Sequence, residues 1–489
     1  MADNVHLNEE RKKKLEALKE EGIDPYPVNF SIANRKHDIL PLLNEFDSLS
    51  AGEDSAKEVF VAGRIMLKRI MGKVAFLTIK DAGNSIQIFI SKKLCADFSI
   101  LNNLDLGDFI GAKGIIFKTR KGEISVKAEN LEFLSKSLRP LPDKHKGLKD
   151  IELRYRKRYL DLITNDDSYE TLRKRSEILM AVRSFLMDKG YMEVETPMLH
   201  PLYGGASARP FITYYNSLKK DFYLRISPEL YLKRLLVGGY GKVFDINKNF
   251  RNEGIDTTHN PEFTMLEVYE LYKDYTDMMV LMESLYEYVA LIVLGTTKIS
   301  FKGQEIDVKA PWTRITMLDS IKKYVGVDAD NMSLKDLRSF AQDRKLDISS
   351  NASWGDCVLA IFEELVEDKF VNPTFVIDHP IESTALCKVS KNDPRLVERF
   401  EPFSMGMELG NAFSELNDPV LQRKLFELQA KKLASGDKEA TPLDEDYLEA
   451  LEYGMPPAGG LGVGIDRMVM LLLGKDSIRD IILFPALKE

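Results

Sequence analysis

Residues 250–272 read "FRNEGIDTTHNPEFTMLEVYELY". Two alternating runs, "KVFDINKNFR" at 242–251 and "EFTMLEVY" at 262–269, flank a polar loop, and period-two alternation marks half-buried antiparallel strands. In the first run Phe244, Ile246 and Phe250 share one face, leaving Asp245, Asn247, Asn249 and Arg251 on the other. In the second, Phe263, Met265, Glu267 and Tyr269 fall together, joining an aromatic plate to a carboxylate and a phenol. Arg251, Glu253 and His259 crowd one elbow. A guanidinium fork donates two parallel hydrogen bonds to a phosphate or carboxylate, so the hairpin reads as a binding site rather than a decorated surface turn.

Two further segments extend that reading. In "RFEPFSMGMELGNAFSELND" (399–418), a turn at Met405 and Gly406 pairs Phe403 with Glu408 and sets Glu401 and Glu408 on one face. Two like charges so close are unfavourable unless a cation separates them, and Mg²⁺ carrying nucleotide phosphates suits oxygen ligands. On these residues alone an exposed acidic hairpin relieved by water has the larger share. In "PPAGGLGVGIDRMVMLLLG" (456–474), Gly460, Gly462 and Gly464 share a strand face, a flat floor for a base or ribose. Asp466 and Arg467 then open a helix capped by Gly474. Neither GxGxxG nor a Walker sequence is present, so a nucleotide site here is of another kind.

The remainder bounds these motifs. A chain of 489 residues, 44% apolar, is expected to fold as more than one domain. With 68 basic and 76 acidic residues the net charge of −8 argues against a general nucleic-acid coat. Cys95, Cys357 and Cys387 are scattered without metal-ligand spacing, which excludes a zinc motif and fits a reducing compartment. No stretch of 18 apolar residues occurs, and the expectation is a cytoplasmic protein without membrane attachment.

Residues 8–22 form a charged helix with a thin Leu15 and Leu18 stripe, expected as a solvated face rather than a basic arm on RNA. Between Val59 and Leu134 five short strands separated by Gly, Asn and Lys-Gly turns suit a small closed barrel of the OB type. Eleven Lys and Arg residues from Arg64 to Lys121 interleave with Phe76 and Phe89, which serve equally as stacking plates for single-stranded nucleic acid or as barrel core. "SLRPLPDKHKGLKD" (137–150) reads as a linker. Beyond it long helical patterns alternate with antiparallel strands outside any βαβ rhythm, an α+β pattern. The expected domains are a helical extension (1–58), the barrel (59–135), a hinge (136–168) and a large domain (169–489) that is mainly helical over 315–370.

Together "KGYMEVETPML" (189–199), "FRNEGIDTTHNPEFTMLEVYELY" (250–272) and "GLGVGIDRMVML" (460–471) resemble motifs one, two and three of the class II aminoacyl-tRNA synthetases. "GGASARPFIT", "LRISPELYLKRL" and "ELGNAFSELNDP" are similar to the bacterial-type lysyl family in particular. The resemblance covers almost the whole chain. It implies an OB-type anticodon barrel joined to a six- or seven-stranded antiparallel sheet flanked by helices, in a homodimer formed through motif one. The activity it implies is formation of lysyl-adenylate from L-lysine and ATP with Mg²⁺, then transfer of lysine to tRNA(Lys).

The resemblance also implies residue roles. Arg251 holds the α-phosphate and the lysine carboxylate; Phe263 and Arg467 sandwich adenine above Gly464; Glu253 and His259 belong to the loop that orders around ATP. Glu401 and Glu408 match the Mg²⁺ carboxylates. Glu229 and the Gly205 backbone receive the α-ammonium and Asn411 the carboxylate. Glu415, Tyr269 and Glu267 receive the ε-ammonium, with Phe413 on the aliphatic stem. In the barrel, Phe76 and Gln87 match contacts to the central anticodon uridine and Arg64 a phosphate contact. The sequence departs at Tyr214 and Tyr215, where the family often has two histidines, and at "STALCK" (383–388), outside the expected substrate contacts. Alternatives are a lysyl ligase acting on a protein, whose known forms lack the barrel, and aspartyl or asparaginyl specificity, which an acidic pocket opposes. A non-catalytic RNA-binding protein on the same fold is a further alternative.

Overall fold

Alternation within the basic segment wraps it into a barrel. In the computed structural model, which describes residues 8–30, 36–142, 148 and 150–488, the chain divides into two units between Glu170 and Thr171. Part of the expected linker, residues 143–147 and 149, lies outside the described residues. In the first unit α1 (Glu9–Glu20) and α2 (Ile39–Glu45) precede β1 (Asp54–Met71), β2 (Val74–Asp81), β3 (Asn84–Ser91), β4 (Phe109–Lys118) and β5 (Ile124–Ser135). These strands close in the order β1-β2-β3-β5-β4. Inward residues such as Val59, Val61, Leu77, Ile79, Ile88 and Val126 are fully buried, while the residues between them face outward, as a closed sheet requires.

The N-terminal helix differs from its expectation as a solvated face. Leu18 is fully buried in the barrel core with Ile39 and Leu42 of α2. Arg11 is buried too; its guanidinium donates to the carbonyls of Ser137, Arg139 and Leu106 at 2.9, 3.2 and 3.0 Å, and Lys14 pairs with Asp105 at 2.6 Å. A long cationic side chain covers apolar surface with its stem, so Arg11 and Lys14 widen a stripe that leucines alone leave thin.

The second unit is built on a nine-stranded sheet. Its strands are β6 (Met192–Glu193), β7 (Lys242–Phe250), β8 (Glu262–Leu271), β9 (Thr313–Thr316), β10 (Thr374–Pro380), β11 (Leu396–Ser404), β12 (Met407–Glu408), β13 (Gly410–Ser414) and β14 (Ala458–Gly464). The order is β9-β10-β11-β13-β14-β8-β7-β6, with β12 pairing β11. Six strands from β10 to β7 are mutually antiparallel, but β9 pairs parallel to β10 and β6 parallel to β7. The sheet is therefore mixed at both edges rather than purely antiparallel.

Parity divides its two faces. Phe244, Ile246, Leu266, Val268, Phe375, Phe400, Ala412, Leu461 and Val463 point into one apolar core with residues of α3 (Asp166–Asp188), α5 (Tyr275–Leu294) and α11 (Ile465–Leu473). The opposite face meets α4 (Glu229–Val237) and α10 (Glu445–Glu452), which share a second core with Val243, Tyr269 and Phe413. Three helices over the expected helical stretch, α6 (Met317–Val325), α7 (Leu334–Asp343) and α8 (Trp354–Leu365), bury a third core with Val376 and Phe403. The α9 helix (Pro419–Ala434) begins on the Asp418 side chain, which accepts from the amides of Val420 and Leu421. Tyr214 and Tyr215 sit exposed on a separate three-stranded sheet.

Candidate active site

The polar face of the large sheet opens into one cavity of about 580 Å³, in the range of small-molecule sites. Strand parity places Phe263, Met265, Glu267 and Tyr269 of β8 along it, with Gly460, Gly462 and Gly464 of β14 alongside and Asn411 and Phe413 of β13 beyond. Gly205, Glu229, Arg251, Glu253, His259, Glu401, Glu408, Glu415 and Arg467 also line it. All fifteen residues that the resemblance assigns to the nucleotide, metal and amino acid thus converge on one space.

At one end Arg251 follows β7, and its backbone N–H donates to the Pro261 carbonyl at 2.9 Å, pinching the loop between them. The guanidinium carbon lies 5.1 Å from the Phe263 ring centroid. Burial lowers the Arg251 pKa, although Glu253 and Glu408 oppose that shift, and its Nε has no hydrogen-bond partner among the described residues. A desolvated cation with an idle donor is poised for an anion. Within the loop Asp256 accepts from the amides of Thr258 and His259, and His259 Nδ1 stands 2.9 Å from its Oδ2. Arg467 Nη2 comes within 3.5 Å of His259 Nε2, and Arg467 Nη1 donates to the Glu408 carbonyl at 2.7 Å.

The acidic hairpin has the inferred register: Phe403 faces Glu408 across a turn in which Met405 and Gly406 both have positive φ. Its charge is balanced in part by arginines, which neither the expected cation nor the expected water included. Arg399 pairs with Glu401, and Arg467 Nη1 lies 3.2 Å from Glu408 Oε2. Negative charge still exceeds these partners. Burial and then Glu401 raise the Glu408 pKa; burial and then Glu408 and Glu401 push Glu367 up to about 7; Glu363 is raised as well. Among the described residues no three His, Cys, Asp or Glu side chains converge closely enough to hold a metal themselves. Glu401 and Glu408 supply oxygen donors of the kind that a hard cation takes.

At the other end lies a buried acidic pocket. Glu229, Glu267 and Glu415 are at most 6% exposed. Ser227 and Tyr269 donate to Glu267 at 2.7 and 3.0 Å, while burial, followed by the Glu229 charge, pushes its carboxyl up to about 8. Lys233, one turn along α4, donates to Glu229 at 2.6 Å and pairs with Glu415. Gly205 has φ +85°, and a side chain there would stand 3.0 Å from Ser227 Oγ and 3.1 Å from Glu229 Cβ, so the backbone approaches Ser227 and Glu229 this closely only because the residue is glycine.

Lys233 and Arg399 are the structural partners that the sequence reading did not single out. Lys233 was legible as the i+4 neighbour of Glu229 on a helix. Arg399 was legible by its parity with Glu401; it also donates to Asn411 Oδ1 at 2.8 Å. Glu363 and Glu367 gave no signal, since only tertiary packing brings them to the hairpin. "STALCK" is closer than expected: Ser383, Thr384, Ala385 and Leu386 line the cavity, and Cys387 bridges Glu415 through the backbone.

In the first unit the barrel carries an outward aromatic face. Phe76 and Phe89 are cross-strand partners with ring centroids 5.2 Å apart, and Phe117 lies 5.7 Å from Phe89. None of the three belongs to the barrel core. Gln87 donates to Glu123 at 2.9 Å and accepts from Ser125. Arg64 stacks 4.2 Å over Phe109 and donates to the Gly107 carbonyl.

Comparison with known proteins finds matches along nearly the whole chain. The family described as tRNA synthetases class II (D, K and N) matches residues 150–488, and the OB-fold nucleic acid binding domain of the tRNA anticodon type matches residues 59–134. The chain is 52% identical to the lysine–tRNA ligase of Pelotomaculum thermopropionicum, over 98% of this chain and 94% of that one. It is 50% identical to the lysine–tRNA ligases of Bacillus thuringiensis and Bacillus anthracis, over 98% of this chain and 96% of each of theirs. With an OB barrel, a helix-flanked mixed sheet and matches of this extent, the chain belongs to the class II tRNA synthetases, within their lysine–tRNA ligase family.

Proposed function

We propose that this chain is a lysine–tRNA ligase that activates L-lysine with ATP and transfers it to the 3′-end of tRNA(Lys), working as a cytoplasmic homodimer with Mg²⁺. The observation that carries the proposal is one cavity with an arginine over an aromatic plate at one end and three buried carboxyls at the other. Such a cavity fits a nucleotide triphosphate and a dicationic amino acid end to end.

In the proposed reaction a lysine carboxylate oxygen attacks the α-phosphorus, the bond to the bridging oxygen of the β-phosphate breaks, and pyrophosphate leaves. Arg251 faces both the α-phosphate and the carboxylate, stabilising charge that grows in the transition state. Phe263 and Arg467 enclose adenine over the glycine floor ending at Gly464, with Glu253 and His259 on the loop closing above. Glu401 and Glu408 hold Mg²⁺, which when bound neutralises phosphate charge. Glu229 and the Gly205 backbone take the α-ammonium, Asn411 the carboxylate, and Glu415, Tyr269 and Glu267 the ε-ammonium, with Phe413 against the stem. Positioning accounts for the first step, and no side chain need act as base. The 3′-hydroxyl of tRNA then attacks the acyl carbon and AMP departs. Phe76, Gln87 and Arg64 read the anticodon loop from the barrel.

The test is lysine-dependent exchange of pyrophosphate into ATP, followed by charging of tRNA. Exchange driven by aspartate instead of lysine, or adenylate formation without charging, would overturn the proposal.

A further inference from the structure

Lys233 is fully buried, and its ammonium lies between two carboxyls on different elements. It donates to Glu229 at 2.6 Å, one turn before it on α4, and pairs with Glu415, just past β13. The ammonium also lies 5.3 Å from the Phe413 ring centroid. Glu415 Oε1 is buried without a hydrogen-bond partner among the described residues and stands over Gly460 on the cavity wall. The ammonium therefore occupies one side of Glu415 and leaves an oxygen idle on the other.

We infer that Lys233 is a specificity-determining counter-ion: by bridging Glu229 and Glu415 it fixes their spacing and favours the charged form of each, so that the pocket selects a dicationic amino acid. This rests on the proposed function, in which those two carboxylates meet opposite ends of lysine. Burial alone would lower the Lys233 ammonium, but Glu229, Glu415 and the Tyr447 oxygen outweigh it and hold it well above its ordinary value. Burial raises both carboxyls, and Lys233 opposes that rise in each. The other groups facing the cluster are Glu267 and Tyr269 from β8, Arg399 from β11, and Cys387 beside Glu415. Without Lys233, Glu229 and Glu415 would confront each other in a dry space, and at least one would take up a proton that lysine must then displace. Lys233 touches none of the reacting atoms; it is a positioning residue.

The experiment is pyrophosphate exchange by the full-length wild type, Lys233→Met and Lys233→Arg from about pH 6.5 to about pH 9, well above the ordinary carboxyl range. In Lys233→Met the lysine KM is expected to rise roughly a hundredfold at neutral pH while the ATP KM stays within about threefold. That defect narrows as the pH rises, because alkali ionises the carboxyls that Lys233 no longer holds. Lys233→Arg, which keeps the charge, recovers most of the loss and the wild-type pH profile. If Lys233→Met does not fold, Lys233→Gln is read against the same outcomes. A lysine KM within about threefold of wild type, or a defect equal for both substrates and flat with pH, overturns the inference. Failure of wild-type exchange would remove the proposed function itself; intact wild-type exchange with unmoved variants removes only the role of Lys233.

Discussion

Gly460 lies directly beneath Glu415: a Cβ at Gly460 would stand 1.9 Å from Glu415 Oε1 and 2.6 Å from the Tyr269 ring. Neither neighbour can yield without disturbing the acidic pocket. Gly460→Ala is expected to cost about a hundredfold in the lysine KM with little change for ATP, since a buried polar pair is displaced. At Gly462 the nearest atom is the Met265 methyl at 3.0 Å, the end of a flexible thioether. Gly462→Ala should cost about tenfold or less. Steady-state exchange kinetics of the two variants separate these outcomes, and equal losses would contradict the packing.

Glu415→Gln keeps the shape of the pocket and removes a charge. Lysine binding should weaken by about a hundredfold or more, because a buried ammonium then lacks its carboxylate, with ATP binding nearly unchanged. Calorimetric titration of each substrate measures the split. Equal loss for both would remove Glu415 from recognition of the ammonium.

Glu267 sets a pH dependence whose sign follows from its environment. Its carboxyl is pushed from an ordinary value of 4.5 up to about 8, first by burial and then by the Glu229 charge. Between those values the folded chain holds a proton that the unfolded chain has released, so stability of the ligand-free protein falls as pH rises through this window. Glu267→Gln should flatten that decline in thermal melts. An arriving ammonium favours the carboxylate, so lysine binding near neutral pH should release protons. Calorimetry in two buffers of different ionisation enthalpy measures this, and zero release would refute it.

Arg251 is expected to govern the rate more than the affinity. Arg251→Ala should lower kcat for exchange by about a thousandfold, the scale of losing a preorganised donor to transition-state charge. Arg251→Lys should recover little, because an ammonium lacks the planar fork and the stacked fit over Phe263. Restoration of more than about a tenth of the wild-type rate by lysine would argue that charge alone suffices.

Phe76 tests the barrel independently of the cavity. Phe76→Ala should reduce tRNA charging efficiency by roughly tenfold to a hundredfold, the worth of one stacked base, and leave exchange intact. A parallel loss of exchange would show that the substitution harms more than anticodon recognition.

The architecture was legible wherever a period was clean. Five alternating strands announced the barrel, and alternation alone grouped Phe263, Met265, Glu267 and Tyr269 as one wall of the cavity. The Phe403 and Glu408 pairing was likewise written in a turn of two residues. What escaped was compensation. Lys233 and Arg399 neutralise carboxylates that read as unpaired in one dimension, and Glu363 and Glu367 arrive from a helical segment with no marker of their destination. The parallel edge strands β6 and β9 are two and four residues long, too short for alternation to reveal their direction.

The packing of α1 bears on how this protein could be taken apart. A cut at Val59, where the recognisable nucleic-acid module begins, would fall inside β1 and strip away Leu18, Ile39 and Leu42. It would also free the Ser137, Arg139 and Leu106 carbonyls that Arg11 satisfies. The smallest portable version of this unit therefore starts no later than Asn8, whose side chain caps α1 by accepting from the amides of Glu10 and Arg11. A transplant designed from the module boundary alone would carry the outward aromatic face on a barrel with an open seam.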